Sequence, residues 1–181
     1  VGADLIISSD LKQGSWQLEM PGEGFFALPL GNLPKHNLAL ACASLRSIIA
    51  LNEDRVREVA RQAMMPGRLQ IIDIQDRTCI YDVGHNAAAV NFLWHELQAR
   101  NLVPAHIVCC MLSGKDHAQV YKTLSGHSNA PWALVSSHGE RSLSSQQLAQ
   151  SMLLSSVPCF DTMQQGLDHA LSATPPGSVI L

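Results

Sequence analysis

Residues 107–124 read Ile107-Val108-Cys109-Cys110-Met111-Leu112-Ser113-Gly114-Lys115-Asp116-His117-Ala118-Gln119-Val120-Tyr121-Lys122-Thr123-Leu124. An unbroken apolar run gives way at Ser113 to small and polar residues, and from Asp116 onward Val120 and Leu124 share one helical face. This is a buried strand, a loop and a helix. A strand without polar alternation is covered on both faces, which belongs to a parallel sheet with helices above and below it. The same unit recurs on either side. Upstream, Leu69-Gln70-Ile71-Ile72-Asp73-Ile74 and Cys79-Ile80-Tyr81 read as a strand pair, and Ala88 to Leu97 carries Val90, Leu93, Trp94 and Leu97 at helical spacing. Downstream, Trp132 to Val135 is a strand, and Ser144-Ser145-Gln146-Gln147 has the form of a capping box opening a helix through Leu148 and Met152. Val157 to Phe160 is strand-like, Met163 to Ala173 helical, and Val179-Ile180-Leu181 a further strand. Crossovers between such strands are right-handed.

Before Pro66-Gly67 the pattern differs. Leu5-Ile6-Ile7, the alternating Trp16-Gln17-Leu18-Glu19-Met20, and Gly24-Phe25-Phe26-Ala27-Leu28-Pro29-Leu30 after a Pro21-Gly22 turn read as a small antiparallel meander. A helix is expected from His36-Asn37, with Leu38, Ala41, Leu45 and Ile48 on one face. A second follows Asn52, a candidate N-cap, with Glu53 and Asp54 in its first turn and Val56, Val59, Ala60 and Ala63 as its apolar stripe. The proline and glycine mark a domain boundary, giving residues 1–65 and 66–181.

Composition excludes several classes. The 181 residues carry 12 Lys+Arg against 15 Asp+Glu, a net charge of −3. There is no basic footprint for a phosphate backbone, so nucleic acid is not an expected partner. No apolar run approaches the ~18 residues of a membrane span, and nothing has the order of a signal peptide, so a soluble chain is expected. Cys42, Cys79, Cys109, Cys110 and Cys159 are odd in number, lack C-x-x-C spacing and mostly sit in apolar runs. They read as reduced core thiols of a cytoplasmic protein rather than a disulfide framework or zinc site.

In an open parallel sheet, ligands bind beyond the carboxyl ends of the strands, where loops and helix N-termini gather. Three successive loops there carry unusual polar residues: Asp82-Val83-Gly84-His85-Asn86, Ser113-Gly114-Lys115-Asp116, and Ser136-Ser137-His138-Gly139-Glu140. Each also has a structural reading. Asp82 suits a turn or cap, Gly84 a backbone requirement, Asn86 an N-cap, and Lys115-Asp116 a solvated pair at a helix start. The remaining histidines, His36, His95, His106, His117, His127 and His169, are scattered and read as structural or exposed. No phosphate loop, dinucleotide fingerprint, nucleophile elbow or metal-ligand spacing is present.

Pro66-Gly67-Arg68-Leu69-Gln70, then Asp82 to Asn86, then Met111-Leu112-Ser113-Gly114-Lys115-Asp116 follow in order. This series resembles the C-terminal part of the dihydrofolate synthase/folylpolyglutamate synthase family within the Mur ligase superfamily. Leu33-Pro34-Lys35-His36-Asn37 is similar to the segment that closes that family's central ATPase domain. The resemblance implies a Rossmann-like, mostly parallel α/β domain with helices on both faces, lacking its last segment. It would be preceded by a meander and helices left from the ATPase domain. It further implies an ATP-dependent ligase that activates dihydropteroate or a folate as an acyl phosphate and lets the amino group of L-glutamate attack. Asn37 matches an adenine-contacting asparagine, Arg68 an arginine reaching ATP phosphates, and Asp82 an aspartate at ATP that would hold Arg68 or accept from the ribose. His85 would help place glutamate or the acyl phosphate, and Lys115 and Asp116 would frame the glutamate side or cap their helix.

Ala87 stands where the family has proline, and Val83-Gly84 replaces its usual small pair. The phosphate loop, the Mg2+ ligands and most of the pterin site belong to an N-terminal half not found in these residues, so the chain alone is expected to be inactive and the full-length protein a monomer. Trp16, Phe25, Phe26 and Leu28 are expected to line the surface which that half covers. Two other readings compete: an amino-acid-adding ligase of peptidoglycan synthesis, and a noncatalytic nucleotide-binding module of Rossmann-like fold.

Overall fold

The computed structural model describes residues 6–10, 15–20, 24–29, 31 and 33–181, without the side chains of residues 6–10, 24 and 25. Leu5, the Pro21-Gly22 turn, Leu30 and the Phe25 side chain lie outside the described residues. Contacts divide the chain into two compact units, Val1–Gln70 and Ile71–Leu181.

In the first unit, β1 (Ile6–Asp10), β2 (Ser15–Met20) and β3 (Gly24–Pro29) form an antiparallel sheet in that order. Alternation sends Trp16, Leu18, Met20, Phe26 and Leu28 to one face, where they join Leu38, Ala39, Cys42 and Ala60 of helices α1 (Lys35–Leu45) and α2 (Glu53–Gln62). This corrects the expectation for three aromatic and aliphatic residues. Trp16, Phe26 and Leu28 are 1%, 5% and 0% exposed, and so form the unit's own core rather than a surface awaiting cover. Helix α1 also ends at Leu45, short of Ile48. It is apolar nearly all round, so periodicity could not single out its inner face: Leu38, Ala39 and Cys42 are buried, whereas Ala41, Leu45 and Ile48 are exposed. Helix α2 is capped by Asn52, whose side chain accepts from Arg55 N. Of its expected stripe Ala60 is buried and Val59 exposed. Arg57 and Glu53, paired at 2.6 Å, reach the edge strand β3: Arg57 Nε donates to Ala27 O, and Glu53 Oε1 accepts from Ala27 N. Side chains thus satisfy backbone groups that an open sheet edge leaves unpaired.

The second unit is a six-stranded sheet in the order β4-β5-β9-β6-β7-β8, comprising β4 (Gln70–Ile74), β5 (Arg77–Tyr81), β6 (Pro104–Cys110), β7 (Trp132–Val135), β8 (Cys159–Phe160) and β9 (Val179–Ile180). From β5 to β8 every pairing is parallel. Gln75 and Asp76, both at positive φ, make the two-residue turn that folds β4 back on β5. This edge strand is not covered on both faces as expected, and Ile71 and Ile72 are each 37% exposed. Helices α3 (Ala87–Ala99), α4 (His117–Ser125) and α5 (Ser145–Ser151) bear on a core with Val90, Val120 and Leu148 against Ile107, Trp132 and Leu134. Helix α6 (Met163–Ala173) packs Ala170 and Leu171 against Cys79 and Ile180 in a second cluster, to which Val108 adds. Capping boxes open both α5, at Ser144 with Gln147, and α6, at Thr162 with Gln165. All five cysteines are free, and Cys110 departs from the core reading because it is exposed. Burial pushes the Cys109 thiol up to about 12, which keeps it protonated and unreactive.

His106, on β6, is 2% exposed, lies edge-on to His169 at 5.4 Å between ring centroids, and has no hydrogen-bond partner for either ring nitrogen among the described residues. Burial holds its imidazole below the ordinary range, and His169 adds in the same direction. The folded chain therefore binds fewer protons here than the unfolded chain does, so this contribution to stability is full above about pH 6.5 and is lost as pH falls from there through the lowered value. His106→Phe is expected to flatten that acid limb, read as urea midpoints at pH 7.5 and pH 5. An unchanged slope would assign the acid sensitivity to other groups.

Candidate functional site

Because β5, β9, β6, β7 and β8 run the same way, the loops after β5, β6 and β7 gather at one edge of the sheet. The loop after β5 is built on Asp82, whose Oδ1 accepts from Gly84 N at 2.7 Å. A Cβ at Gly84 would stand 2.9 Å from that same oxygen, so a larger residue there would displace the carboxylate. His85 is exposed, and its Nδ1 lies 3.1 Å from Val83 O. A carbonyl only accepts, so Nδ1 carries the hydrogen in this contact. Asn86 caps α3 by accepting from Ala89 N at 2.9 Å.

The loop after β6 brings Lys115 and Asp116 together. Asp116 is the N-cap of α4, its Oδ1 accepting from Gln119 N at 3.0 Å, so the capping alternative describes what this carboxylate does. Lys115 is half-buried, and its side chain has no hydrogen-bond or ion-pair partner among the described residues. His117, directly behind the pair, is 7% exposed and donates from Nε2 to Leu112 O at 2.9 Å. It ties the start of α4 back to the end of the preceding strand segment, which agrees with the structural reading of this histidine.

Strand β9 lies between β5 and β6, so the Asp82/His85 loop and the Lys115/Asp116 loop are separated by two strand spacings, about 10 Å. They lie on one edge of the sheet without touching as a constellation. The loop after β7 is joined directly to the loop after β6, since Ser113 N donates to Arg141 O at 3.0 Å. His138 and Glu140 are exposed on it.

The other two residues belong to the first unit. Asn37 is exposed in the first turn of α1. Arg68 is half-buried on a turn pinned by Arg68 N donating to Met65 O at 3.0 Å and Gly67 N to Gln70 Oε1 at 3.0 Å. The next residue, Leu69, is 4% exposed and held at φ 42, left-handed backbone that costs a leucine about 1–2 kcal/mol. Strain of this kind persists where packing over-determines it and clusters at ligand clamps. Among the described residues no group of three or more His, Cys, Asp or Glu side chains could hold a metal ion, and no helix is long and apolar enough to cross a membrane.

Known proteins bear on these loops. The Escherichia coli dihydrofolate synthase/folylpolyglutamate synthase is 30% identical over 159 residues, covering 85% of this chain, and the chain spans 36% of that protein. The solved structure of E. coli FolC in complex with ADP superposes with a TM-score of 0.83 at 26% identity, over 99% of this chain and 43% of that one. A bifunctional folylpolyglutamate synthase/dihydrofolate synthase with Mn, AMPPNP and L-glutamate bound gives a TM-score of 0.78 at 28% identity, over 93% of this chain and 41% of that one. The Yersinia pestis enzyme complexed with AMPPNP and Mn gives 0.79 at 28% identity, over 96% and 41%. The family model for the Mur ligase glutamate ligase domain matches residues 67–181. That span takes in the whole of the second unit with its Asp82 and Lys115 loops, and the chain belongs to the Mur ligase family.

Proposed function

We propose that the chain is the C-terminal part of an ATP-dependent ligase that joins L-glutamate to dihydropteroate, to folyl-polyglutamates, or to both. The observation that carries this reading is the pair of polar loops after β5 and β6 at the carboxyl edge of a sheet matching a glutamate ligase domain. The relatives' bound nucleotide and glutamate support the same substrates here.

In the first step a carboxylate oxygen of the acceptor attacks the γ-phosphorus of ATP. The bond to ADP breaks and an acyl phosphate forms. In the second, the neutral amine of glutamate attacks the acyl carbon, phosphate leaves, and the nitrogen gives up a proton. Catalysis of this kind is mostly positioning and charge stabilisation. Arg68 offers an always-charged fork to phosphate oxygens, and the carboxamide of Asn37 offers one donor edge and one acceptor edge to adenine. Asp82 serves the ribose or Arg68, while His85 and Lys115 serve the glutamate side, Lys115 as a point charge for an anion. Asp116 acts on Lys115 by fixing the start of α4. Mg2+, when bound, supplies charge neutralisation at the phosphates; the described residues offer it no ligand cluster, and no step above is routed through it.

The 181-residue chain alone is expected to release no ADP from ATP, dihydropteroate and glutamate. The full-length protein is expected to release ADP only when acceptor and glutamate are both present. Turnover by the chain alone would overturn the need for a further part, and a full-length protein inert with every folate acceptor would overturn the ligase reading.

A further inference from the structure

The loop after β6 is closed on itself by one side chain. His117, the first residue of α4, donates from Nε2 to Leu112 O at 2.9 Å, and its own N donates to Lys115 O at 3.0 Å. Asp116, between Lys115 and His117, has φ −83 and ψ 78, the backbone of an inverse γ-turn. Lys115 is therefore held from both sides by the same histidine, directly at its carbonyl and, through Leu112, at the chain that leads to it. Packing does not fix the stretch between. Gly114 stands at φ 76, with nothing within 4 Å of where a Cβ would lie, and Ser113 is held through its N, which donates to Arg141 O at 3.0 Å.

His117 is 7% exposed. Burying a polar ring costs free energy that its hydrogen bond offsets. An apolar side chain would fill the same space without that cost, so what the imidazole adds here is the tie to Leu112. The Lys115 side chain is half-buried and has no hydrogen-bond or ion-pair partner among the described residues, which leaves the backbone beneath it to set where its charge stands.

Resting on the ligase reading above, we propose that His117 is a positioning residue: by tying Leu112 to the start of α4 it sets where the Lys115 ammonium meets an anionic group of the incoming glutamate. An ammonium is a point charge on a flexible stem, so its aim depends on where its Cα is held. A displacement of about 1 Å in such a group can cost about a hundredfold in rate.

The test uses the full-length ligase with His117→Phe, which keeps a buried ring and removes the donor, and His117→Gln, whose amide nitrogen restores one. His117→Met, a donorless side chain that adapts to irregular gaps, serves if the phenylalanine variant does not fold. KM is measured for glutamate, ATP and acceptor separately, with urea midpoints as the check on folding. The donorless variant is expected to raise the KM for glutamate about tenfold, the size of one hydrogen bond, and to leave the KM for ATP unchanged. His117→Gln should recover most of the loss. In a Lys115→Ala background the same change should have no further effect on the KM for glutamate, because the group it positions is gone. Equal rises for all three substrates, or an additive rise in the Lys115→Ala background, would make the tie a matter of folding alone and overturn the proposal. An unchanged KM for glutamate in an active donorless variant overturns His117 alone, whereas an inactive parent enzyme overturns the ligase reading and this assignment with it.

Discussion

Arg68→Ala in the full-length ligase is expected to lower kcat by about 10²–10³-fold, the usual cost of removing one preorganised donor from developing charge. The KM for glutamate should hold, because the contact proposed for Arg68 is to phosphate in the transition state and not to the amino acid. Met65 O, Gln70 Oε1 and the buried, left-handed Leu69 fix the turn on which Arg68 stands, so the guanidinium is offered from a rigid base. Arg68→Lys should recover part of the rate, since charge returns without the fork. Rapid-quench measurement of ADP formation separates this step from product release. A variant with undiminished ADP formation would remove Arg68 from the site.

Gly166→Val should cost about 3 kcal/mol in the second unit and remove much of its stability, as overpacking in a closed core does. Helix α6 crosses the sheet so closely that a Cβ at Gly166 would lie 2.6 Å from Val135 Cγ2 and 3.0 Å from Val108 Cγ1. Both neighbours are β-branched and stiff about χ1, so neither can swing aside cheaply. An alanine would gain about 1 kcal/mol of helix propensity against the same contacts and should fall between. Urea unfolding followed through Trp94 and Trp132 fluorescence reports on this unit, and an unmoved midpoint would show that α6 does not press on β6 and β7.

How far the sequence alone could be read depended on which physical signal each element carries. The parallel sheet was legible because Ile107 to Leu112 and Trp132 to Val135 are uniformly apolar, and the caps at Asn52, Asn86 and Ser144 because their side chains must answer unsatisfied N–H groups. The inner face of α1 was not, because a helix with alanine, leucine and cysteine on every side has no stripe to find. Trp16, Phe26 and Leu28 lay hidden for another reason. Alternation showed that they share a face but not that α1 and α2 cover it. At the site, the topology rule led to the Asp82 and Lys115 loops. The left-handed Leu69, the His117 tie and the Ser113–Arg141 link depend on backbone geometry that residue types do not carry.

Strand β9 is the link between β5 and β6, since Leu181 N donates to His106 O and Leu181 O accepts from Val108 N. It is synthesised after every other strand of its sheet. A ribosome that has completed α6 but not Val179 therefore holds two separate pieces, the β4-β5 hairpin and the β6-β7-β8 ribbon, each with a bare edge of backbone donors and acceptors. The sheet joins only when its centre arrives, so a chain stalled or ended before Val179 is the species from which edge-to-edge aggregation starts. Cellular yield is accordingly tied to the synthesis of Val179-Ile180-Leu181, a constraint on expression quite apart from catalysis.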